Sequence, residues 1–185
     1  MSFQSVLALQ KQVEGPYSND ANDAGGMTIC GIDRKSNPKW EGFAIADGVI
    51  EASKDLLDDE EIGAALDKNV ELQKAISAFY QKSYDSLGID RLPESLQAPV
   101  FCGIQNQGIE DVWLFQKSLC ELGQAVPIDG KLGPATFHAA AQVNPVALKA
   151  LLFQHRVERY VATVHDHAND RDYLLGWLDR LELGA

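Results

Sequence analysis

The sequence predicts an all-α fold, and three observations carry that reading. Apolar residues recur at helical spacing in several segments, as at Leu72, Ile76, Phe79 and Tyr80. Helix-ending and helix-opening pairs punctuate those segments, among them Gly15-Pro16, Asn37-Pro38, Gly133-Pro134 and Asn144-Pro145. No strand-like alternation of any length occurs, and neither does an internal repeat or a low-complexity tract. With 185 residues, 45% of them apolar, the chain has material for one substantial core or two small ones in close packing.

The elements follow in order. Residues 3 to 13 place Phe3, Val6, Leu7 and Val13 near helical spacing, with Gln10 interrupting the stripe. Gly15-Pro16 cannot continue that helix, so Glu14 closes it. Ser18 to Gly26 is rich in the residues that bend a chain through side-chain hydrogen bonds and positive φ. Asn37-Pro38 reads as an N-cap and first helical position, with Trp40 and Phe43 as core or groove aromatics. Asp58-Asp59-Glu60-Glu61 caps a further helix, and residues 70 to 84 form the next. Leu92-Pro93 to Pro99 reads as a connection and the seam between residues 1–92 and 93–185. Beyond it, Trp113, Gln116, Leu119 and Cys120 trace a helix that stops at Gly123. Asp129-Gly130 and Gly133-Pro134 frame a turn before another helix. Asn144-Pro145 then caps a long one with Leu148, Leu151, Leu152, Val157 and Val161 on its core side.

Composition excludes several classes of function. Sixteen basic against 27 acidic residues give a net charge of −11, with no Lys/Arg stripe to neutralise phosphates, so nucleic acid is not expected as a partner. The three cysteines, Cys30, Cys102 and Cys120, are too few and too widely spaced for a zinc site or a disulfide framework and are expected as reduced thiols. The amino-terminal residues lack the basic and apolar regions of a signal peptide, and no segment approaches the roughly 20 apolar residues of a membrane span. Synthesis in the cytoplasm is the expectation. No cofactor and no metal are expected. His165-Asp166-His167 lacks the i, i+4 spacing of helical zinc ligands. Asp20 to Gly31 fails the EF-hand pattern, with Ala24 at its fifth position and Gly31 in place of the bidentate glutamate.

The chemistry concentrates between residues 14 and 28. Glycoside hydrolysis needs a carboxylic acid to protonate the leaving oxygen and usually a second group to handle water or the cation. Asp23 lies nine positions after Glu14, and Thr28 five after Asp23, across a loop able to fold back on the helix end. At a helix C-terminus, beside Val13 and Tyr17, Glu14 meets carbonyl dipoles and partial desolvation, both opposing ionisation as a general acid requires. Asp20 and Asp23 are candidates for the second group, and Thr28 is able to position a water. Trp40 offers an indole face to a sugar ring.

The run Glu14-Gly15-Pro16-Tyr17-Ser18-Asn19-Asp20-Ala21-Asn22-Asp23-Ala24-Gly25-Gly26-Met27-Thr28-Ile29-Cys30-Gly31-Ile32 resembles the signature E-G-G-Y-x-N-D-x-x-D-x-G-G-x-T-x-x-G-I of glycoside hydrolase family 108. The stretch Asn37 to Phe43 is similar to a subgroup often described as secretion activators, and Phe79 to Tyr84 to the family's Y-x-x-x-Y helix. Asn106-Gln107-Gly108, Phe115 to Leu119, Asp129 to Thr136 and Gly176 to Leu181 resemble the peptidoglycan-binding-like domain that usually follows.

The resemblance implies a lysozyme-like helical fold with a C-terminal helical subdomain packed against it. It also implies cleavage of the β-1,4 bond from N-acetylmuramic acid to N-acetylglucosamine, with Glu14 catalytic. Asp23 and Thr28 complete a trio like that of phage-type lysozymes. Tyr17, Asp20, Trp40 and Asn106 are the expected substrate-binding residues, and glycan strands of peptidoglycan the partner. Reaching the wall, on its periplasmic or external side, would require a holin, lysis or a secretion apparatus. Pro16 and Cys102 depart from the family pattern, where glycine and aspartate are usual. They motivate a non-catalytic wall-binding or secretion-associated module as the alternative, beside a lytic transglycosylase.

Overall fold

The computed structural model describes residues 1–19, 26–53, 58–166, 174–176, 178 and 181. Its described elements are predominantly helical: α1 (Phe3–Glu14), α2 (Gly42–Ser53), α3 (Asp59–Lys68), α4 (Val70–Leu87), α5 (Glu94–Gln107), α6 (Ile109–Glu121), α7 (Pro134–Gln142) and α8 (Pro145–Asp166). Three two-residue strands, β1 (Tyr17–Ser18), β2 (Thr28–Ile29) and β3 (Ile32–Asp33), form a small antiparallel sheet in the order β1-β2-β3. The all-α expectation therefore holds, with the sheet confined to the segment after α1. The chain forms two compact units, one of Gln10–Ser83 and the other of Met1–Leu9 with Tyr84–Ala185.

Several expected helix ends are built as the sequence implies. Gly15 closes α1 with φ +73°, its N–H donating to the Lys11 carbonyl at 3.0 Å, the left-handed glycine stop of a helix. Asp58 and Glu61 form a reciprocal capping box on α3: the Glu61 N–H donates to Asp58 at 2.9 Å and the Asp58 N–H to Glu61 at 3.1 Å. Asn144 caps α8 by accepting from the Val146 N–H at 2.8 Å.

Other local readings require correction. Asn37-Pro38 opens no helix. Asn37 turns its amide back to the Asp33 carbonyl at 3.1 Å, and two successive turns follow before α2 begins at Gly42. Residues 94 to 99 are helical rather than a connection, with Pro99 inside α5. A proline there removes one intrahelical donor, but Leu96 to Gly103 are buried without interruption, and that burial outweighs the loss. On α8, Leu148 and Leu152 are buried as expected. Val161 is exposed and Leu151 and Val157 are half-buried, because the inward stripe continues through His155, Arg156 and Tyr160.

That stripe explains how the second unit is held. Asp111 on α6 and Arg156 on α8 form a buried bidentate pair, Nε to Oδ1 at 2.7 Å and Nη2 to Oδ2 at 2.8 Å. Nη2 also donates to the Pro99 carbonyl at 2.8 Å, tying α5 to the same guanidinium. The pair lies directly on the bare α-carbon of Gly103, where any side chain would overlap it. Burial opposes the charge on Arg156, but the adjacent Asp111 carboxylate prevails and holds its pKa above the usual value. Around the Asp129–Lys131 turn, Gln116 donates to Asp129 Oδ1 at 2.9 Å and the Lys131 carbonyl at 3.0 Å. Its Oε1 accepts from the Asp129 and Gly130 amides at 3.0 and 2.9 Å. One buried side chain thus fixes a whole turn.

Candidate active site

The site starts from the way α1 ends. Val6, Leu7 and Gln10 are its buried residues, and Glu14 follows Gln10 by four positions on the same side of the helix. Glu14 is half-buried, and Gln10 Nε2 donates to its Oε1 at 3.3 Å. Gln10 is 1% exposed, and its own Oε1 is buried with no hydrogen-bond partner among the described residues. The interruption in the apolar stripe is therefore the residue that contacts the candidate acid.

The sheet then returns the chain to Glu14. Tyr17 lies opposite Ile29, and Ile29 opposite Ile32, so these three share one face, on which both isoleucines are buried. Ser18, Thr28 and Asp33 share the other face. Between β2 and β3 the loop is only Cys30-Gly31, with φ of +47° and +80°, as a two-residue turn with both central residues left-handed requires. This turn places the bare α-carbon of Gly31 against Glu14. A Cβ there would lie 2.6 Å from Glu14 Cγ, 2.9 Å from Cδ and 3.0 Å from the Tyr80 hydroxyl oxygen. Tyr80, buried on α4, donates to the Cys30 carbonyl at 2.5 Å and so anchors the turn. The Cys30 thiol is pushed up to about 11, mainly by burial, with Asp67 and Glu14 adding to the rise and Lys11 opposing it. A thiol so held is protonated at neutral pH and a poor nucleophile.

The structure distributes the other expected residues unevenly. Tyr17 is half-buried on β1, with α3 close behind it at Gly63. Thr28 is half-buried on β2 and donates to the Gly26 carbonyl at 3.3 Å; no hydrogen bond links it to Glu14. Asp20 and Asp23 lie outside the described residues. Trp40 is half-buried in the unit that contains Glu14, edge-to-face with Phe43 and Phe79. Asn106 belongs to the other unit, where it donates to the Tyr160 hydroxyl at 2.8 Å. It lines a hollow of about 330 Å³ with Gln107, Arg159, Tyr160 and Thr163. His165 and Asp166 are exposed, and His167, Asp170 and Asp172 lie outside the described residues. No cluster of three metal-ligating side chains occurs among the described ones.

Sequence reasoning missed Gln10, Gly31 and Tyr80. Only Gln10 carried a readable signal, its i, i+4 relation to Glu14.

Residues 8–108 match the family model of glycosyl hydrolase 108, and residues 110–182 match a second model described as a predicted peptidoglycan domain. Together they define a protein of the glycosidase class that acts on or binds peptidoglycan. The first match spans more than half of the chain, and the chain belongs to the glycosyl hydrolase 108 family. Among solved structures, that of Brucella abortus SagA is similar in fold, with a TM-score of 0.61 at 18% identity. The similarity covers 97% of this chain and 89% of that one. No curated protein matches the chain by sequence. None of the described helices is long and apolar enough to cross a membrane.

Proposed function

We propose that the protein is an N-acetylmuramidase that hydrolyses the β-1,4 bond between N-acetylmuramic acid and N-acetylglucosamine, with Glu14 as its general acid. The observation that carries the reading is the seating of Glu14. It closes α1, half-buried, against the bare α-carbon of Gly31 and within reach of the Gln10 amide. A general acid must keep its proton near neutral pH and still meet the leaving oxygen. The carbonyl end of α1 and partial burial favour the protonated carboxyl, whereas the Gln10 amide favours the carboxylate. A pH–rate profile reads the balance directly.

In this proposal Asp23 or Asp20 orients the attacking water or stabilises the oxocarbenium-like transition state, while Thr28 and Tyr17 support the sugar. Residues 1–92 carry the cleavage and residues 93–185 hold the wall. The enzyme works on the periplasmic or external wall after export or lysis.

The test is incubation of purified peptidoglycan with the wild-type chain and with Glu14→Gln, followed by mass spectrometry of the released fragments. Reducing-end muropeptides from the wild type alone are expected. Anhydro-sugar ends would make it a lytic transglycosylase. Intact strands with both proteins, despite binding, would replace the enzyme with a non-catalytic wall-binding module.

A further inference from the structure

We propose that the hollow lined by Trp40 and Phe79 is a glycan subsite for an aminosugar bearing a carboxylate, with Lys39 as the residue that recognises the acid. This deepens the reading of the Glu14 unit as the part that handles glycan strands, and rests on it. The hollow measures about 380 Å³, within the range of small-ligand sites, and is lined by Ser36, Asn37, Pro38, Lys39, Trp40 and Phe79.

Three features fit one occupant. The first is a braced aromatic platform. Gly42 carries no side chain that would collide with the indole, and a Cβ there would lie 2.5 Å from Trp40 Cε2. Phe43 and Phe79 hold the indole edge-to-face with ring centroids 4.8 and 5.9 Å away. Trp40 and Phe79 both line the hollow, and aromatic rings suit the C–H face of a pyranose.

The second is an acceptor at the rim. The turn from Asp33 to Asn37 is fixed by the Ser36 N–H to Asp33 Oδ1 at 2.7 Å and by Asn37 Nδ2 to the Asp33 carbonyl at 3.1 Å. That leaves Asn37 Oδ1 with no hydrogen bond among the described residues, an acceptor matched to the N–H of an acetamido group.

The third is charge. Lys39 is exposed beside the hollow with no carboxylate in ion-pair distance among the described residues, although the chain carries a net −11. Lys11, Arg34 and Lys74 of the same unit lie in ion pairs, while Lys39, unpaired among the described residues, is the cation that lines this hollow. A neutral sugar offers that ammonium only hydroxyl acceptors, whereas a carboxylate also neutralises its charge and makes the stronger bond. An aminosugar with a carboxylate on its lactyl ether, or on the peptide that continues from it, satisfies the platform, the acceptor and the cation together.

The test uses full-length Glu14→Gln protein, so that probes are not cleaved. Binding is measured by calorimetry with chitotetraose, with a bare muramyl-containing tetrasaccharide, and with the same strand carrying its peptide stem. Lys39→Met, at an exposed position, is expected to weaken the carboxylate-bearing probes about 2- to 5-fold and to leave chitotetraose unchanged. A loss confined to one acidic probe identifies which carboxylate Lys39 meets. Trp40→Phe, verified as folded by circular dichroism, is expected to weaken all three probes.

No response of either acidic probe to Lys39→Met, an equal loss for chitotetraose, or indifference of all probes to Trp40→Phe would overturn the subsite. Cleavage by wild-type protein is scored separately. Lys39-dependent binding without cleavage would refute the catalytic reading and leave the subsite standing, and cleavage without Lys39 dependence would do the reverse.

Discussion

Replacing Gly31 by alanine isolates what the Cys30-Gly31 turn does for Glu14. Two effects combine at this position. Its φ of +80° strains any residue with a Cβ, at about 1–2 kcal/mol. The new methyl group would also stand 2.6 Å from Glu14 Cγ, where apolar carbons settle at about 3.5–4.0 Å, so the side chain must retreat by about 1 Å. Gly123→Ala supplies the control, because Gly123 has φ +83° and nothing within 4 Å of its Cβ position. Gly123→Ala should lose about 1–2 kcal/mol, which for a chain of 185 residues lowers Tm by roughly 2–8 °C, and Gly31→Ala should lose that and a further ~1–3 kcal/mol for the overlap. Only Gly31→Ala should also shift the Glu14 carboxyl ¹³C resonance and slow glycan cleavage, on the order of 100-fold for a displacement near 1 Å. The assays are thermal unfolding, side-chain NMR and release of reducing ends from purified peptidoglycan. If Gly31→Ala cleaves as fast as Gly123→Ala per folded molecule, with an unshifted Glu14 resonance, then the turn does not set the position of the acid and the reasoning fails.

Three further outcomes are expected. Asp111→Ala should destabilise by about 3–5 kcal/mol because it leaves Arg156 charged and buried, while the double variant Asp111→Leu/Arg156→Met should lose less than that single change; equal losses in chemical denaturation would contradict it. Gln116→Leu should release the Asp129–Lys131 turn, seen as faster hydrogen exchange at the Asp129 and Gly130 amides. Because the Gln116 hydrogen bond is the leading cause of the lowered Asp129 pKa, an NMR titration should find that pKa moving back up; an unmoved pKa would disprove the coupling. Cys30 holds its proton more tightly folded, at about 11, than its ordinary value of 9.0, so its contribution is present below pH 9 and fades as pH rises towards 11. About 3 kcal/mol of pH-dependent stability in that window should vanish in Cys30→Ala, and an unchanged pH slope of unfolding would count against it.

What was readable in the sequence was mostly local. The capping box at Asp58 and Glu61 and the cap at Asn144 involve residues at most three apart. The glycine stop after Glu14 is equally short in range, and residue type alone restricts the backbone there. Asn37-Pro38 and Pro99 went wrong for one reason. A cap or breaker states what the backbone tolerates, whereas burial of Leu96 to Gly103 and the Asn37 bond to Asp33 decide what it does.

The candidate site divides in the same way. The chain itself determined that a carboxylate would close a helix and that a bending loop would follow, because helical period and glycine stereochemistry act over a single turn. It also determined, through motifs spread along its length, the family to which it belongs. Only the tertiary structure decided what Glu14 touches. Gln10 is one turn behind it, but Gly31 arrives on a β-turn distant in sequence, anchored by Tyr80 of α4 at the Cys30 carbonyl and by the burial of Ile29 and Ile32 in the core. The inward stripe of α8 was decided likewise, since a buried Arg156 is acceptable only where Asp111, from another helix, neutralises it. Such pairings depend on which surfaces exclude water together, and no single segment encodes that.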